Sequence, residues 1–148
     1  MANHCRVASA AAVAMCDALA DYADGGAGAA KLIIFTGAEP AYANDAAGTE
    51  VATLTCNDPA FGAAAADGAN HWAEADLDVD PAVTDSSATG NASAVTYFRL
   101  VQSDGTTVVL QGTLGTSGAD INLNSTIIGA GAAVTITALQ VRVPYNQA

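Results

Sequence analysis

Residues able to do chemistry are few in this chain, and each grouping departs from the pattern its chemistry requires. Gly115-Thr116-Ser117-Gly118-Ala119 approximates the G-x-S-x-G elbow that lifts a serine nucleophile onto a sharp turn, but Ala119 replaces the last glycine. The only bases on offer are the two histidines, His4 and His71, so the segment reads as a Gly-rich turn between strands. Cys56 with His71 would be the corresponding thiol pair, yet a buried cysteine ordinarily packs as a small hydrophobe. Asp76, Asp78 and Asp80 repeat at the D-x-D-x-D spacing of a calcium loop. Pro81 stands where that loop turns on glycine and Ser87 where it needs a bidentate glutamate, which excludes an EF-hand. An acidic solvent face is the plainer reading, and a looser cation site at a subunit contact is the sharper alternative. Gly25 to Lys31 imitates a phosphate loop but follows a helix rather than a strand and lacks the Gly-Lys-Ser/Thr ending, so it reads as a linker. No catalytic, cofactor-binding or metal-ligating set remains, and the chain reads as a structural protein rather than an enzyme.

Composition points the same way. The formal charge is −11, and the four basic residues Arg6, Lys31, Arg99 and Arg142 are scattered, so no patch can neutralise phosphates and nucleic acid is excluded as a partner. Anionic membrane surfaces are disfavoured by the same sign, and no apolar run approaches the roughly 20 residues of a membrane-spanning helix. Only 13% of residues are charged, against roughly a quarter in an average soluble protein. A surface of Ala, Gly, Ser, Thr and Asn desolvates cheaply, which suits a protein that lies against other proteins. Cys5, Cys16 and Cys56 are odd in number and match neither a disulfide framework nor a zinc site, so reduced thiols and synthesis in the cytoplasm are expected. Arg6, Val7 to Met15 and Ala18-Leu19-Ala20 loosely imitate a signal peptide, but the centre is mostly Ala and Asp17 sits near the would-be cleavage site.

The 148 residues suit one domain, 1–148, with a thin core, because Ala supplies much of the apolar share. Residues 3–24 lack Gly and Pro, and Ala8, Ala12, Met15, Cys16, Leu19 and Tyr22 recur at helical spacing, which predicts an amphipathic helix capped by Asn3 and stopped by Gly25-Gly26 in the left-handed conformation. Asp17, Asp21 and Asp24 lie at the end where the macrodipole disfavours them, so the helix needs a packing partner. Strands are predicted at Lys31 to Thr36, Glu50 to Cys56, Ile121 to Ile128 and Ala133 to Val143, with a bulge or bend near Ala138 where the apolar parity changes. Val95 to Gln102 and Thr106 to Thr113 flank Ser103-Asp104-Gly105 as a hairpin. Residues 60–70 read as loop. Residues 71–83 are ambiguous; as a strand they would turn Asp76, Asp78 and Asp80 outward and Leu77 and Val79 inward. The whole predicts a mainly β protein, a jelly-roll-like β-sandwich over 31–143 preceded by one N-terminal α-helix.

Four stretches, Leu32 to Ala41 (LIIFTGAEPA), Leu54 to Gly62 (LTCNDPAFG), Tyr97 to Gly105 (YFRLVQSDG) and Gly115 to Gly131 (GTSGADINLNSTIIGAG), resemble small virion proteins of tailed bacteriophages, of the capsid cement or decoration type. The resemblance implies a jelly-roll-like structural protein on the outer capsid surface of the virion, made in the host cytoplasm, that binds the major capsid protein and itself, as a homodimer or homotrimer, and stabilises contacts between capsomers. A tail, neck or fibre-associated adaptor is the second hypothesis. A carbohydrate-binding module is the third, disfavoured by one Trp, four Tyr and three Phe, few to spare for stacking on sugars. Met15, Leu19 and Tyr22 on the helix, and Trp72, are the candidate interface residues; packing of the helix across its own β domain, and of Trp72 in the core, are the plainer readings.

Overall fold

The computed structural model describes residues 6–145. Asn3, His4 and Cys5, including the expected helix cap, lie outside them. Among the described residues the protein is mainly β, with one helix, α1 (Ser9–Ala23), ahead of ten strands: β1 (Lys31–Thr36), β2 (Thr49–Thr55), β3 (Ala65–Asp67), β4 (Trp72–Asp76), β5 (Val83–Asp85), β6 (Val95–Val101), β7 (Val108–Gly115), β8 (Ile121–Asn122), β9 (Val134–Ile136) and β10 (Gln140–Pro144).

The largest sheet has five strands in the order β2-β1-β6-β7-β8, antiparallel except for the parallel β7–β8 pair. The run Leu32-Ile33-Ile34-Phe35 is apolar at every position because β1 is central and covered on both faces. Leu32 and Ile34 join Leu54, Phe98 and Leu100 in the main core, while Ile33 and Phe35 join Tyr97 and Val101 on the opposite face. In β2 the strand alternation breaks at Val51, because the register shifts between Ile34 and Phe35 and both Val51 and Ala52 are buried. The hairpin joins β6 to β7 as its Asp-Gly turn requires. The Gly105 N–H bonds the Gln102 carbonyl, Gly105 sits at φ +76°, and the Asp104 carboxylate accepts from the Thr106 and Thr107 amides.

A three-stranded sheet β10-β4-β3 and a two-stranded sheet β5-β9 complete the framework. Ala73, Ala75 and Val141 from the first and Val83 and Ile136 from the second share the main core with α1 and the larger sheet. The helix lies on β4, β10 and β3.

Several expectations are corrected. The helix begins at Ser9 rather than residue 3: Ala8 is extended and provides no side-chain cap, and Ala12 is the first of the described residues to be buried. Gly25 and Gly26 do not take the left-handed conformation. They are glycines because the hairpin comes close: a Cβ on Gly25 would stand 2.8 Å from Gln102 Nε2, and one on Gly26 would run into the Ser103 side chain. Residues 60–70 are not all loop, since Ala65–Asp67 pairs with β4 as a strand its small residues did not announce. The strand expected over Ile121 to Ile128 stops at Asn122, because the rest bonds irregularly to the segment before β6. The Ile128 N–H reaches Asn91 Oδ1, the Asn91 N–H the Ile128 carbonyl and the Val95 N–H the Thr126 carbonyl. The parity change near Ala138 marks a passage between sheets: β9 pairs with β5 and β10 with β4.

Candidate interaction surface

On α1 the buried line is Ala12, Cys16, Ala20 and Ala23. Of the three helix residues picked out from the sequence, Leu19 is half-buried against the core, whereas Met15 and Tyr22 are 53% and 51% exposed. The predicted stripe divides: Ala12 and Cys16 face inward, and Met15 and Tyr22 lie on the exposed side. Two of the three acidic residues that oppose the macrodipole, Asp17 and Asp24, are tertiary anchors. Asp17 Oδ1 accepts the Ala64 N–H at 2.7 Å, and the Asp24 carboxylate accepts the buried Ala60 N–H at 3.0 and 3.1 Å. Burial pushes the Asp24 carboxyl above the ordinary Asp value; the Ala60 bond offsets part of this, and Asp58 and Asp21 add to it. Gln102 Nε2 donates to the Tyr22 carbonyl, tying the end of the helix to the hairpin.

Trp72 is half-buried on the face of the small sheet opposite Ala73 and Ala75. Its indole N–H donates to Glu74 Oε2 at 2.8 Å, the Arg142 guanidinium lies 4.3 Å from the ring centroid, and Arg142 Nε is 3.2 Å from the same carboxylate. A stacked, paired Trp of this kind has its partners within the chain. It does not contact Met15, Leu19 and Tyr22 in one patch; the helix and Trp72 lie on opposite faces of the β10-β4-β3 sheet.

Two exposed apolar side chains escaped the sequence reading. Tyr42, 74% exposed, crowns the 37–48 segment, which lies over the outer face of the large sheet. Arg99, only 6% exposed, projects from β6 under that segment, with its guanidinium 5.9 Å from both the Phe35 and Tyr97 ring centroids. It donates to the Asp45 carbonyl at 2.8 Å and to Gln111 Oε1 at 3.0 Å, and Gln111 Nε2 in turn holds the Pro40 carbonyl at 2.9 Å. Ile127, 53% exposed, edges a cavity of about 550 Å³ lined by Asn122, Asn124, Ser125, Val134 and Thr135. A lone aromatic among Pro40, Asn44 and Asp45 was the available signal for Tyr42; Ile127 gave none, because its neighbour Ile128 carries the same hydropathy.

The tested catalytic groupings do not assemble. Ser117 is exposed in the β7–β8 turn. Burial, with Asp24 nearby, pushes the Cys56 thiol up to about 11, away from the thiolate a nucleophile needs. His71 is exposed at the β3–β4 turn, edge-on to Tyr145. Asp76 accepts from Gln140 Nε2 and Asp78 from the Asp80 amide. Among the described residues no three His, Cys, Asp or Glu side chains gather as a metal site, and no helix is long and apolar enough to cross a membrane. No protein-family model, curated protein or solved structure matches the chain.

Proposed function

We propose that this chain is a non-enzymatic virion protein that binds the outer surface of an assembled phage capsid and stabilises contacts between capsomers. The observation that carries the reading is Tyr42: a large aromatic 74% exposed on a segment held down by Arg99, Gln111 and Tyr97. A fixed aromatic on a surface poor in charge offers contact area at low entropic cost, which is how interface anchors work. The four stretches that carry the resemblance to phage cement proteins lie on β1, the end of β2, β6 and β8, and largely on the connections beside them. On this reading α1 and the two smaller sheets form the second layer of a jelly-roll-like sandwich.

A protein that binds only the assembled lattice stabilises it by mass action, and copies spanning two capsomers gain effective concentration once one end is docked. The role therefore needs self-association, as a homodimer or homotrimer, and a partner in the major capsid protein, with a net charge of −11 that keeps the chain off packaged DNA. Co-sedimentation with assembled heads tests it. The intact protein should pellet with heads, leave free DNA unbound and raise the temperature at which heads rupture, and Tyr42→Ala should weaken the binding. Failure of the intact protein to bind any head lattice would move the function to the tail, the neck or outside the virion.

A further inference from the structure

One side of α1 is exposed among the described residues. Ala12, Cys16, Ala20 and Ala23 face the core and Asp17 and Asp24 bind the 60–64 segment, while Val7, Ala11, Ala14, Met15, Ala18 and Tyr22 are all exposed. The spacing of Ala11, Ala14, Met15, Ala18 and Tyr22 keeps them on one strip of a 3.6-residue helix, and Val7 lies just ahead of its first turn. Val7, Met15 and Tyr22 are 37%, 53% and 51% exposed, in a chain whose other surfaces bear most of its 15 acidic residues. Asp21 alone borders the strip.

We propose that two copies pair through this strip, with their α1 helices antiparallel about a twofold axis near Ala14 and Met15. The charges select this occupant and this direction. Arg6 precedes the helix, the first turn contains no acidic residue and the last turn no basic one, and Asp21 and Asp24 crowd the C-terminal end. Parallel pairing would set acid against acid and align the two macrodipoles. Antiparallel pairing sets Arg6 and the positive helix end of each copy beside Asp21 of the other. With that axis Ala11 of one copy faces Ala18 of the other, Met15 packs beside Ala14 at the centre, and Tyr22 reaches the residues just ahead of the other copy's helix. Such a contact is isologous and closes at two copies. The inference rests on the self-association in the reading above and is independent of where in a virion the protein sits.

The test uses the full chain with Cys5→Ser, in which Cys16 and Cys56 stay buried, carrying one exposed introduced cysteine, Ala11→Cys or Ala18→Cys, and oxidised with copper-phenanthroline separately and after mixing. Cross-linking in the mixture well above either variant alone is the expected result; cross-linking of Ala11→Cys to itself, or none anywhere, overturns the arrangement. Sedimentation velocity of the unmodified protein should show a dimer, weakened at least about tenfold by Ala18→Glu, which buries a carboxylate against Ala11 of the other copy, with the fold retained by circular dichroism because Ala18 is exposed. The dimer should weaken with Arg6→Glu and recover when Asp21→Arg is added. A monomer that still binds phage heads overturns this contact and leaves the capsid reading standing; a dimer that binds no head supports the contact and overturns the capsid reading.

Discussion

The Gly48 amide donates to the Tyr97 hydroxyl at 2.6 Å, joining the end of the 37–48 segment to a fully buried ring on the central strand β6. The approach depends on glycine, because a Cβ at residue 48 would run into the Thr36 carbonyl oxygen and stand 3.2 Å from the Tyr97 hydroxyl. Tyr97 in turn stacks on Phe35 with ring centroids 5.1 Å apart, and Arg99 lies beside both rings. One hydrogen bond thus links the surface segment bearing Tyr42 to the sheet beneath it.

Gly48→Ala is therefore expected to destabilise the protein by about 1–3 kcal/mol through overpacking, and Tyr97→Phe by about 1 kcal/mol through the lost acceptor. Urea unfolding checks both. Equal stability of Gly48→Ala and the parent would show that the segment moves away at no cost.

Asp24 distinguishes an acceptor from a charge. Asp24→Ala leaves the buried Ala60 N–H without its partner and should cost about 1–3 kcal/mol. Asp24→Asn keeps an oxygen for that bond and removes repulsion from Asp58 and Asp21, so it should equal the parent or exceed it. The two melting temperatures, measured at pH 7, should fall on opposite sides of this divide.

At the hairpin, Gly105→Val forces a β-branched residue to φ +76° and should cost about 1–3 kcal/mol. An unchanged melting temperature would show that the turn adopts another conformation.

Acid should unfold the protein through particular carboxylates. Burial would raise the Asp85 carboxyl, but bonds from the Ser87 amide and hydroxyl and from the Thr53 amide outweigh it and hold the group below its ordinary value of 3.8. Asp104, bonded by Thr107 and Thr106, is held well below that value too. A carboxyl with a lowered folded value contributes stability above the ordinary value and loses it as pH falls through the folded one. Asp24, raised, works oppositely, and its cost is relieved on acidification. Unfolding midpoints should therefore fall steeply below about pH 4, and Asp85→Asn should flatten that fall.

Deleting Met1 to Asp24 should leave a chain that does not fold. The deletion removes Ala12, Cys16, Ala20 and Ala23 from the main core and strips the Asp17 and Asp24 acceptors from the 60–64 backbone. Circular dichroism and proteolysis of the truncated chain decide this; a folded product would make the helix an appendage.

Local signals in the sequence were enough for the helix body, β1, β2 and the β6–β7 hairpin. Each announces itself within a few residues, through a 3.6 period, a solid apolar run between Gly37 and Ala30, or Asp-Gly between β-rich segments. The parity change near Ala138 was legible as an irregularity, though not as the place where the chain leaves β5's partner to become β4's. Which side of the helix is buried was a narrower matter. Ala12 and Met15 are both apolar and only about 60° apart on the wheel, so only the docking of Cys16, whose thiol reaches the Val141 carbonyl at 3.5 Å, decided that Met15 and Tyr22 face outward. The strand at Ala65–Asp67 owes its conformation to pairing with β4 across the 68–71 turn, and the segment after Asn122 to hydrogen bonds from Asn91 and Val95, distant in sequence; alanine, glycine and asparagine carry little preference of their own. Arg99 shows the same limit most plainly. Its charge marks it as a surface residue by type, yet it is buried because Phe35, Tyr97, Gln111 and the Asp45 carbonyl, drawn from four separate parts of the chain, meet around its guanidinium only after the sheet has formed.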